Sequence, residues 1–429
     1  MKFKIVTLGC KVNSYESQAV RESLIEEGYT EGEDPDLIIV NTCAVTGVAE
    51  HKSRQRVSSF KKKYPEAIVV ACGCSSQMHR DSFSSIGADI VIGNNNHRDL
   101  IDLISRFRKE RMPIVEVDTS VRLRNYQPLR ITTFDEKVRA FVKIGDGCDN
   151  FCSYCIIPLN RGNLRSRDPS EILCEIRTLV SNSYREIVIT GIDSASYGKE
   201  FIDYRFDDLL EDILHIDGLK RLRISSIEAS QMTERFLKMM EKSPVVQRHL
   251  HIPLQSGSDT VLKRMKRKYT CAEFYEKICR IRQVLPDVAL ACDVIVGFPG
   301  ETEEEFQETF RFIERCNFAF LHVFPYSSRE GTPAAAMKDQ VPPGVKHERV
   351  LRLIELGERL SASYAASFVG KEVEVLVESY DAKKDCCRGF SGNYLECEIA
   401  GGKDRINRIV RIRYRGKGIP HVPLEEKKG

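Results

Sequence analysis

Gly145-Asp-Gly-Cys148-Asp-Asn-Phe-Cys152-Ser-Tyr-Cys155 lies between a strand-like apolar run at 140–144 and a stretch with helical spacing. Its three cysteines decide how the rest of the chain reads. Thiolates select soft metals and iron–sulfur clusters. Cysteines separated by three and then two residues can wrap one such group from a single tight loop. A four-iron cubane held by three thiolates keeps one iron open. An open iron takes a small molecule through an amine and a carboxylate, the two groups on the methionyl end of S-adenosylmethionine (SAM). Zinc is the competing reading, but it favours a closed tetrahedral set, commonly from paired Cys-x2-Cys strings. Here no histidine stands nearby as a fourth ligand, and the spacing is not the paired form.

Outward from this loop, strand-like runs at 140–144, 186–190, 222–225, 249–253, 289–296 and 319–324 alternate with helical spacing at 169–181, 206–215, 233–241, 272–284 and 303–315. Roughly six β/α units without a dinucleotide fingerprint predict an open or closed parallel barrel. A long helical pattern follows at 346–368. Upstream, runs at 3–8, 37–41, 67–71 and 90–92 alternate with helical stretches at 14–27 and 48–62, the pattern of a parallel sheet covered on both faces. A polar, Arg- and Thr-rich segment with Pro128 reads as a linker. Past Gly370 the pattern changes to short alternating runs at 371–378, 394–399 and 408–414, punctuated by Gly389, Gly392, Gly401 and Gly402, which predicts a small antiparallel β unit. The expected fold is α/β in three domains and a linker: a parallel-sheet domain at 1–118, a linker at 119–135, a barrel at 136–368 and a β domain at 369–429.

Composition agrees with a folded, water-soluble chain. Of 429 residues, 42% are hydrophobic and 30% charged, and no apolar run is long enough to span a bilayer. Residues 1–6 run straight into a strand pattern with no signal-peptide features, so the expected compartment is the cytoplasm. In a reducing compartment, fifteen cysteines point to metal ligation or catalysis rather than disulfides. Cys174, Cys271, Cys279, Cys292 and Cys316 fall in helix or strand patterns and are expected to be small buried residues. Cys386, Cys387 and Cys397 have no evident partner set. The net charge of +3 says little, but basic residues gather at 403–417 and 263–268. Read alone, each run is a solvated face.

A second thiol set stands in the first third. Cys10, Cys43 and Cys74 each come just after a predicted strand, and consecutive strand C-termini of a parallel sheet converge on one edge. Three thiols there can grip a second cluster. Cys72, two residues before Cys74, is an extra thiol on the same edge that competes for the role.

Cys148-x3-Cys152-x2-Cys155, with Tyr154 before the last cysteine, resembles the radical SAM superfamily motif. That resemblance implies a partial (β/α)6 barrel, homolysis of a SAM carbon–sulfur bond and a 5′-deoxyadenosyl radical. It also implies SAM contacts at Tyr154, at Thr190 and Gly191, at Gln255, and at Gly297 and Gly300 of the Val294–Glu301 strand exit. Together with Thr7-Leu-Gly-Cys10-Lys-Val-Asn13, Asn41-Thr-Cys43-Ala-Val-Thr46, Gly73-Cys74-Ser-Ser-Gln77 and Arg161-Gly-Asn-Leu-Arg165-Ser-Arg167, the chain is similar over nearly its whole length to the radical SAM methylthiotransferases. These have an N-terminal cluster domain, a radical SAM barrel and a C-terminal TRAM β-barrel, which often binds RNA. The resemblance implies two [4Fe–4S] clusters, one on Cys148, Cys152 and Cys155 and one on Cys10, Cys43 and Cys74, with SAM as both radical source and methyl donor. It implies a sulfur donor and a reductant such as flavodoxin or ferredoxin as partners, with no membrane.

Within that family the strings resemble the branch that methylthiolates carbon 2 of N6-threonylcarbamoyladenosine at position 37 of the tRNA anticodon loop. The Gly-Cys-Gln-Met-Asn string usual in isopentenyladenosine enzymes and the Cys-Pro-Lys-Asn string usual in ribosomal-protein aspartate enzymes are absent. Those two activities, and a non-catalytic RNA-binding iron–sulfur sensor, are the alternatives. RNA contacts are expected from Arg161, Arg165 and Arg167 and from Arg408, Arg411 and Arg413, because phosphates are held by Lys and Arg.

Overall fold

The computed structural model describes residues 1–118, 126–134 and 138–426; the remainder of the expected linker, 119–125 and 135, lies outside the described residues. Six parallel strands, β1 (Lys2–Thr7), β2 (Thr30–Glu31), β3 (Leu37–Thr42), β4 (Ile68–Gly73), β5 (Ile90–Ile92) and β6 (Ile114–Glu116), form one sheet in the order β2-β1-β3-β4-β5-β6. Strands β3 and β4 are buried throughout, which is why they read as continuous apolar runs rather than alternating ones. Thr7 pairs with Asn41 and Thr42 with Gly73, so the C-terminal ends of β1, β3 and β4 lie level.

The central part is an open run of six parallel strands. β7 (Arg139–Lys143) is followed by a small antiparallel pair, β8 (Gly145–Asp146) and β9 (Arg165–Ser166). Then come β10 (Glu186–Thr190), β11 (Arg221–Ile224), β12 (His249–His251), β13 (Ala289–Val296) and β14 (Phe320–Pro325). Strands β11-β10-β7 and β12-β13-β14 form two ladders. Parallel bridges Leu222–Val246 and Ser226–His251 join them, giving the order β7-β10-β11-β12-β13-β14 of a partial barrel. Leu250, Leu290, Cys292, Val294 and Val296 pack outward into one large apolar core with the surrounding helices. Helix starts follow the sequence closely: Thr270 with Glu273 and Thr302 with Glu305 make reciprocal capping boxes, which satisfy backbone N–H groups the helix leaves free.

The tail is an antiparallel sheet of β15 (Glu372–Asp381), β16 (Cys386–Ser391), β17 (Glu396–Ala400), β18 (Ile409–Arg413) and β19 (Pro423–Glu426), ordered β17-β16-β15-β18-β19. It curls until His421, just before β19, exchanges backbone hydrogen bonds with the far edge: Ala400 N to His421 O at 2.8 Å and His421 N to Glu398 O at 2.9 Å. Cys387 and Cys397 sit inside this curl with Val375, Val410 and Ile412; they are core residues. Strand β16 falls outside the expected alternating runs. Its Gly389 is required because a Cβ would lie 2.2 Å from Leu376 O. The expectation that all five helix- and strand-borne cysteines are buried holds for Cys292 and Cys316 but not for Cys174 and Cys279, which are exposed on the solvent sides of their helices.

The tail docks on the barrel through charge. Glu186, fully buried, takes Arg139 at 2.9 Å, Arg221 at 3.0 Å and Arg223 at 2.9 Å. Arg139 also pairs with Glu378 of β15, and Arg221 and Arg223 donate to the carbonyls of Phe390 and Ser391.

Candidate functional site

The cysteine loop leaves β7 through the β8–β9 pair, which anchors its base. Gly147 has φ +71, and a Cβ there would meet Asn163 O at 1.9 Å, so only glycine lets the two arms approach. Cys148 N donates to Gly162 O at 3.1 Å and Cys155 N to Cys152 O at 3.0 Å. Cys148 Sγ accepts Asn150 N at 3.5 Å and lies 3.8 Å from Asp193 Oδ2. Cys152 Sγ accepts Arg267 Nη1 at 3.3 Å. Burial, then Asp193, pushes the Cys148 thiol up to about 12. Burial, then Cys152, pushes Cys155 up to about 11. Thiols at Cys148 and Cys155 whose ionisation is suppressed in this way form a site that a cationic group would relieve.

In the N-terminal sheet, Cys10 caps the helix Lys11–Glu26, Cys43 follows β3, and Cys74 opens the short helix Cys74–Met78. A Cβ on Gly9, which has φ +103, would lie 2.9 Å from Cys43 Sγ, so the Cys10 turn is pressed against Cys43. Burial, then the neighbouring charges including Cys10 and Cys43, pushes Cys74 up to about 12, while Arg161 pulls it down. Cys72 is different. It is 1% exposed, packs with Val70 and Ile92 in the apolar core, and points its thiol at Val40 O, 3.7 Å away. Cys10, Cys43 and Cys74 are therefore gathered at one edge, and Cys72 is a core residue.

Among the described residues one trio, His251, Asp293 and His322, brings its ligand atoms within 4.8 Å of one another; neither cysteine trio does. The soft, all-sulfur donor chemistry of each cysteine set fits an iron–sulfur cluster.

Between the two sets runs a buried chain of charge. Arg161, 0% exposed, donates from Nε to Cys74 Sγ at 3.3 Å, from Nη1 to Glu16 at 2.8 Å and Asp146 at 3.0 Å, and from Nη2 to Asn13 at 2.9 Å. Lys143 joins the same two carboxylates at 2.7 and 2.6 Å. Burial alone would raise Glu16, but Arg161 and Lys143 hold it at about 2; the same cations hold Asp146 well below the usual carboxylate range against its own burial. Arg165 donates to Arg161 O, and Arg167, also 0% exposed, bonds Glu175 and Tyr15. This is at odds with the expected RNA role of Arg161, Arg165 and Arg167: all three are buried, Arg161 and Arg167 are answered by carboxylates, and Arg165 donates from Nη2 to Arg161 O while its Nε and Nη1 stay buried without a partner among the described residues, so they tie elements together rather than face solvent. Of the tail residues, Arg408 and Arg413 are exposed and Arg411 is half-buried; Arg413 pairs with Glu372 at 3.2 Å.

A cavity of about 240 Å³ opens beside the loop, lined by Tyr154, Cys155, Gln255, Asp293, Ile295 and, from the N-terminal part, Val45 and Thr46. Gln255, at φ +68, is bridged to Val294 and lines the cavity. Of the residues expected to surround SAM, Tyr154 and Gln255 line this cavity. Thr190 and Gly191 lie at the end of β10 outside its lining, Thr190 buried and accepting Ile144 N at 2.9 Å. Gly297 and Gly300 do not line it either. Gly297 packs on Lys346 and donates to Glu301, which pairs with Arg349 at 2.7 Å, so this exit fastens the helix Pro343–Ala366.

Sequence reasoning missed Asp193, Glu16, Lys143 and Asp146, and took 263–268 for a solvated face. Only part of that run is solvated. Arg264 pairs with Glu305 at 2.6 Å, and Arg267 is buried against Glu228 and Cys152. It also missed the exposed basic face of the helix Gly47–Lys63, where His51, Arg54, Lys62 and Lys63 line a wide, open groove.

A model of the radical SAM superfamily matches residues 142–313, and one described as the uncharacterized protein family UPF0004 matches residues 2–93. The chain is 42% identical to a threonylcarbamoyladenosine tRNA methylthiotransferase of Bacillus subtilis strain 168, over 97% of this chain and 94% of that one. It is 37% identical to a tRNA-2-methylthio-N(6)-dimethylallyladenosine synthase of Oceanobacillus iheyensis, over 96% of this chain and 81% of that one. In fold it is similar to the radical SAM methyltransferase TsrM of Kitasatospora setae, with a TM-score of 0.57 at 13% identity over 78% of this chain and 74% of that one.

Proposed function

Because this chain belongs to the radical SAM methylthiotransferase family, we propose that it transfers a methylthio group to carbon 2 of N6-threonylcarbamoyladenosine at position 37 of tRNA. The observation that carries this reading is the chain-long similarity to the threonylcarbamoyladenosine enzyme, combined with a cysteine loop that borders a cavity. The reaction is that of a transferase acting in the cytoplasm. Among the described residues no helix is long and apolar enough to cross a membrane.

Cys148, Cys152 and Cys155 hold a [4Fe–4S] cluster beside the SAM cavity, and Cys10, Cys43 and Cys74 hold a second. These groups, when bound, supply the one-electron and sulfur chemistry that an unactivated aromatic C–H requires and that acid–base side chains lack. The protein's own residues do the positioning. Arg267 donates a hydrogen bond to Cys152, and Asp193 sets the charge at Cys148; outer partners of this kind orient thiolates and tune their electron density. Tyr154 and Gln255 shape the SAM pocket with Ile295. Arg161, bonded to Asn13, Glu16 and Asp146 at once, keeps the Cys10 helix and the Cys148 loop at a constant separation, as a transfer between two centres demands. Thr46 and Val45 bring the N-terminal part to the rim of the same cavity. The tail sheet is the TRAM unit. Arg408, Arg411 and Arg413, together with the basic face of the helix Gly47–Lys63, supply the phosphate contacts that precede base recognition. A sulfur donor and a reductant of the flavodoxin or ferredoxin class complete the partners.

Mass spectrometry of bulk tRNA from a strain lacking the gene tests the reading. The methylthio mark on threonylcarbamoyladenosine disappears and that on isopentenyladenosine persists. A deletion strain with unchanged tRNA overturns it.

A further inference from the structure

A second cavity, of about 340 Å³, lies where the first helix, the barrel strands and the tail sheet meet. Its walls are aromatic, with His249, Phe320, Tyr364 and Tyr394 among them. Its size is that of a small-molecule site, and aromatic walls are what proteins use to hold a base turned out of its strand. It adjoins the SAM-side cavity. Asp293 lines that cavity, and it holds His251 at 2.9 Å and His322 at 3.2 Å, both of which line this one.

The charges on the wall do not cancel. Lys417 is answered by Glu396 at 3.3 Å, and both line the cavity. Lys11 lines it too, and its ammonium has no hydrogen-bond or ion-pair partner among the described residues. Behind the cavity the three arginines at 139, 221 and 223 share two carboxylates, Glu186 and Glu378; of the charges around Lys11, Arg139 and Arg223 oppose its ammonium, while Asp293, already bonded to His251 and His322, favours it without pairing with it. A partly buried ammonium with no ion-pair partner is costly and pre-set for an anion.

We propose that Lys11 is the specificity residue of this enzyme: it receives the carboxylate of the threonylcarbamoyl group while the adenine lies against the aromatic wall. The inference rests on the substrate reading above and deepens it, since that carboxylate is the one anionic group that separates this nucleoside from adenosine and from its apolar N6-alkyl relatives. A backbone phosphate offers similar charge, so the test keeps every phosphate constant.

Anaerobically reconstituted holoenzyme is titrated with anticodon stem-loop RNAs carrying threonylcarbamoyladenosine, its threonyl methyl ester, or adenosine at position 37. Wild-type protein binds the acid about tenfold or more tightly than the ester, the range of a charge-assisted hydrogen bond. Lys11→Gln and Lys11→Met lose that preference by weakening the acid alone, and Lys11→Arg keeps it. Glutamine and methionine are ordinary residues for the first turn of a helix, and iron content verifies each variant. Equal wild-type affinity for acid and ester overturns the inference, as does a Lys11→Gln variant that weakens acid and ester alike, the result a phosphate contact gives. A wild-type enzyme that methylthiolates neither RNA sinks the substrate reading itself, whereas one that modifies the acid yet binds the ester equally sinks only the role of Lys11.

Discussion

Arg161 Nε lies 3.3 Å from Cys74 Sγ, and the same guanidinium is bonded to Asp146, two residues before Cys148, at 3.0 Å. One buried side chain thus links a cysteine of one site to the base of the loop that carries the other. Its removal has a structural consequence apart from catalysis. Arg161→Met leaves Glu16 and Asp146 buried with Lys143 as the remaining strong counter-charge. Unfolding of the anaerobic protein in urea should show a loss of about 3–5 kcal/mol. A loss within experimental error would mean that the cluster is solvated.

The same network predicts an acid limb. Glu16 is held at about 2 against an ordinary value of 4.5. A depressed carboxylate stabilises the fold fully above its unfolded value, and that stability drains away as pH falls toward the folded value. Stability of the wild-type chain therefore declines between about 4.5 and 2 as this group takes up its proton. Glu16→Gln, though less stable at neutral pH, should show a shallower slope across that window in far-ultraviolet circular dichroism.

Cys72 and Cys74 are separated by one residue and by opposite roles. Cys74→Ala, like Cys10→Ala or Cys43→Ala, should remove about half of the iron of anaerobically prepared protein. Cys72→Ala should retain all of it and cost about 1 kcal/mol of stability for the small cavity it opens. Iron quantitation against a denaturant curve separates the two.

Arg267 donates to Cys152, and Asp193 sits beside Cys148. A cation near a thiolate favours the reduced, more negative cluster, and an anion disfavours it. Arg267→Gln should lower the midpoint potential by roughly tens of millivolts, and Asp193→Asn should raise it by a similar amount. Shifts of the same sign in anaerobic spectroelectrochemistry would refute the electrostatic account.

Two exposed basic surfaces compete for the RNA backbone. Charge reversal at Arg54, Lys62 and Lys63 should weaken tRNA binding and reduce the dependence of log K on log salt by about one for each phosphate no longer neutralised. Reversal at Arg408, Arg411 and Arg413 should do the same if the tail sheet holds RNA. The surface whose reversal leaves the salt slope intact is a solvated face.

Local spacing carried much of this protein. Cys148, Cys152 and Cys155 share one loop, so their three- and two-residue gaps were enough to place three thiols side by side. Strands such as Glu186–Thr190 and Ala289–Val296 were legible end to end, because burial on one or both faces writes itself directly into residue order. The convergence of Cys10, Cys43 and Cys74 was also within reach, since parallel strands align their C-terminal ends.

What residue order left open concerns partners distant along the chain. Arg161 looks like any basic residue until Glu16, 145 positions away, and Asp146 close around it. Cys72 and Cys74 are nearly neighbours, yet the turn at Gly73, with φ +96, sends one thiol into the core and the other to the edge. Lys11 gains meaning only when the barrel and the tail sheet wall it in without an ion-pair partner among the described residues. Periodicity records which face of an element is apolar, a short-range property. Whether a charge is answered, and by what, depends on desolvation and on long-range contacts, which exist only once the chain has folded.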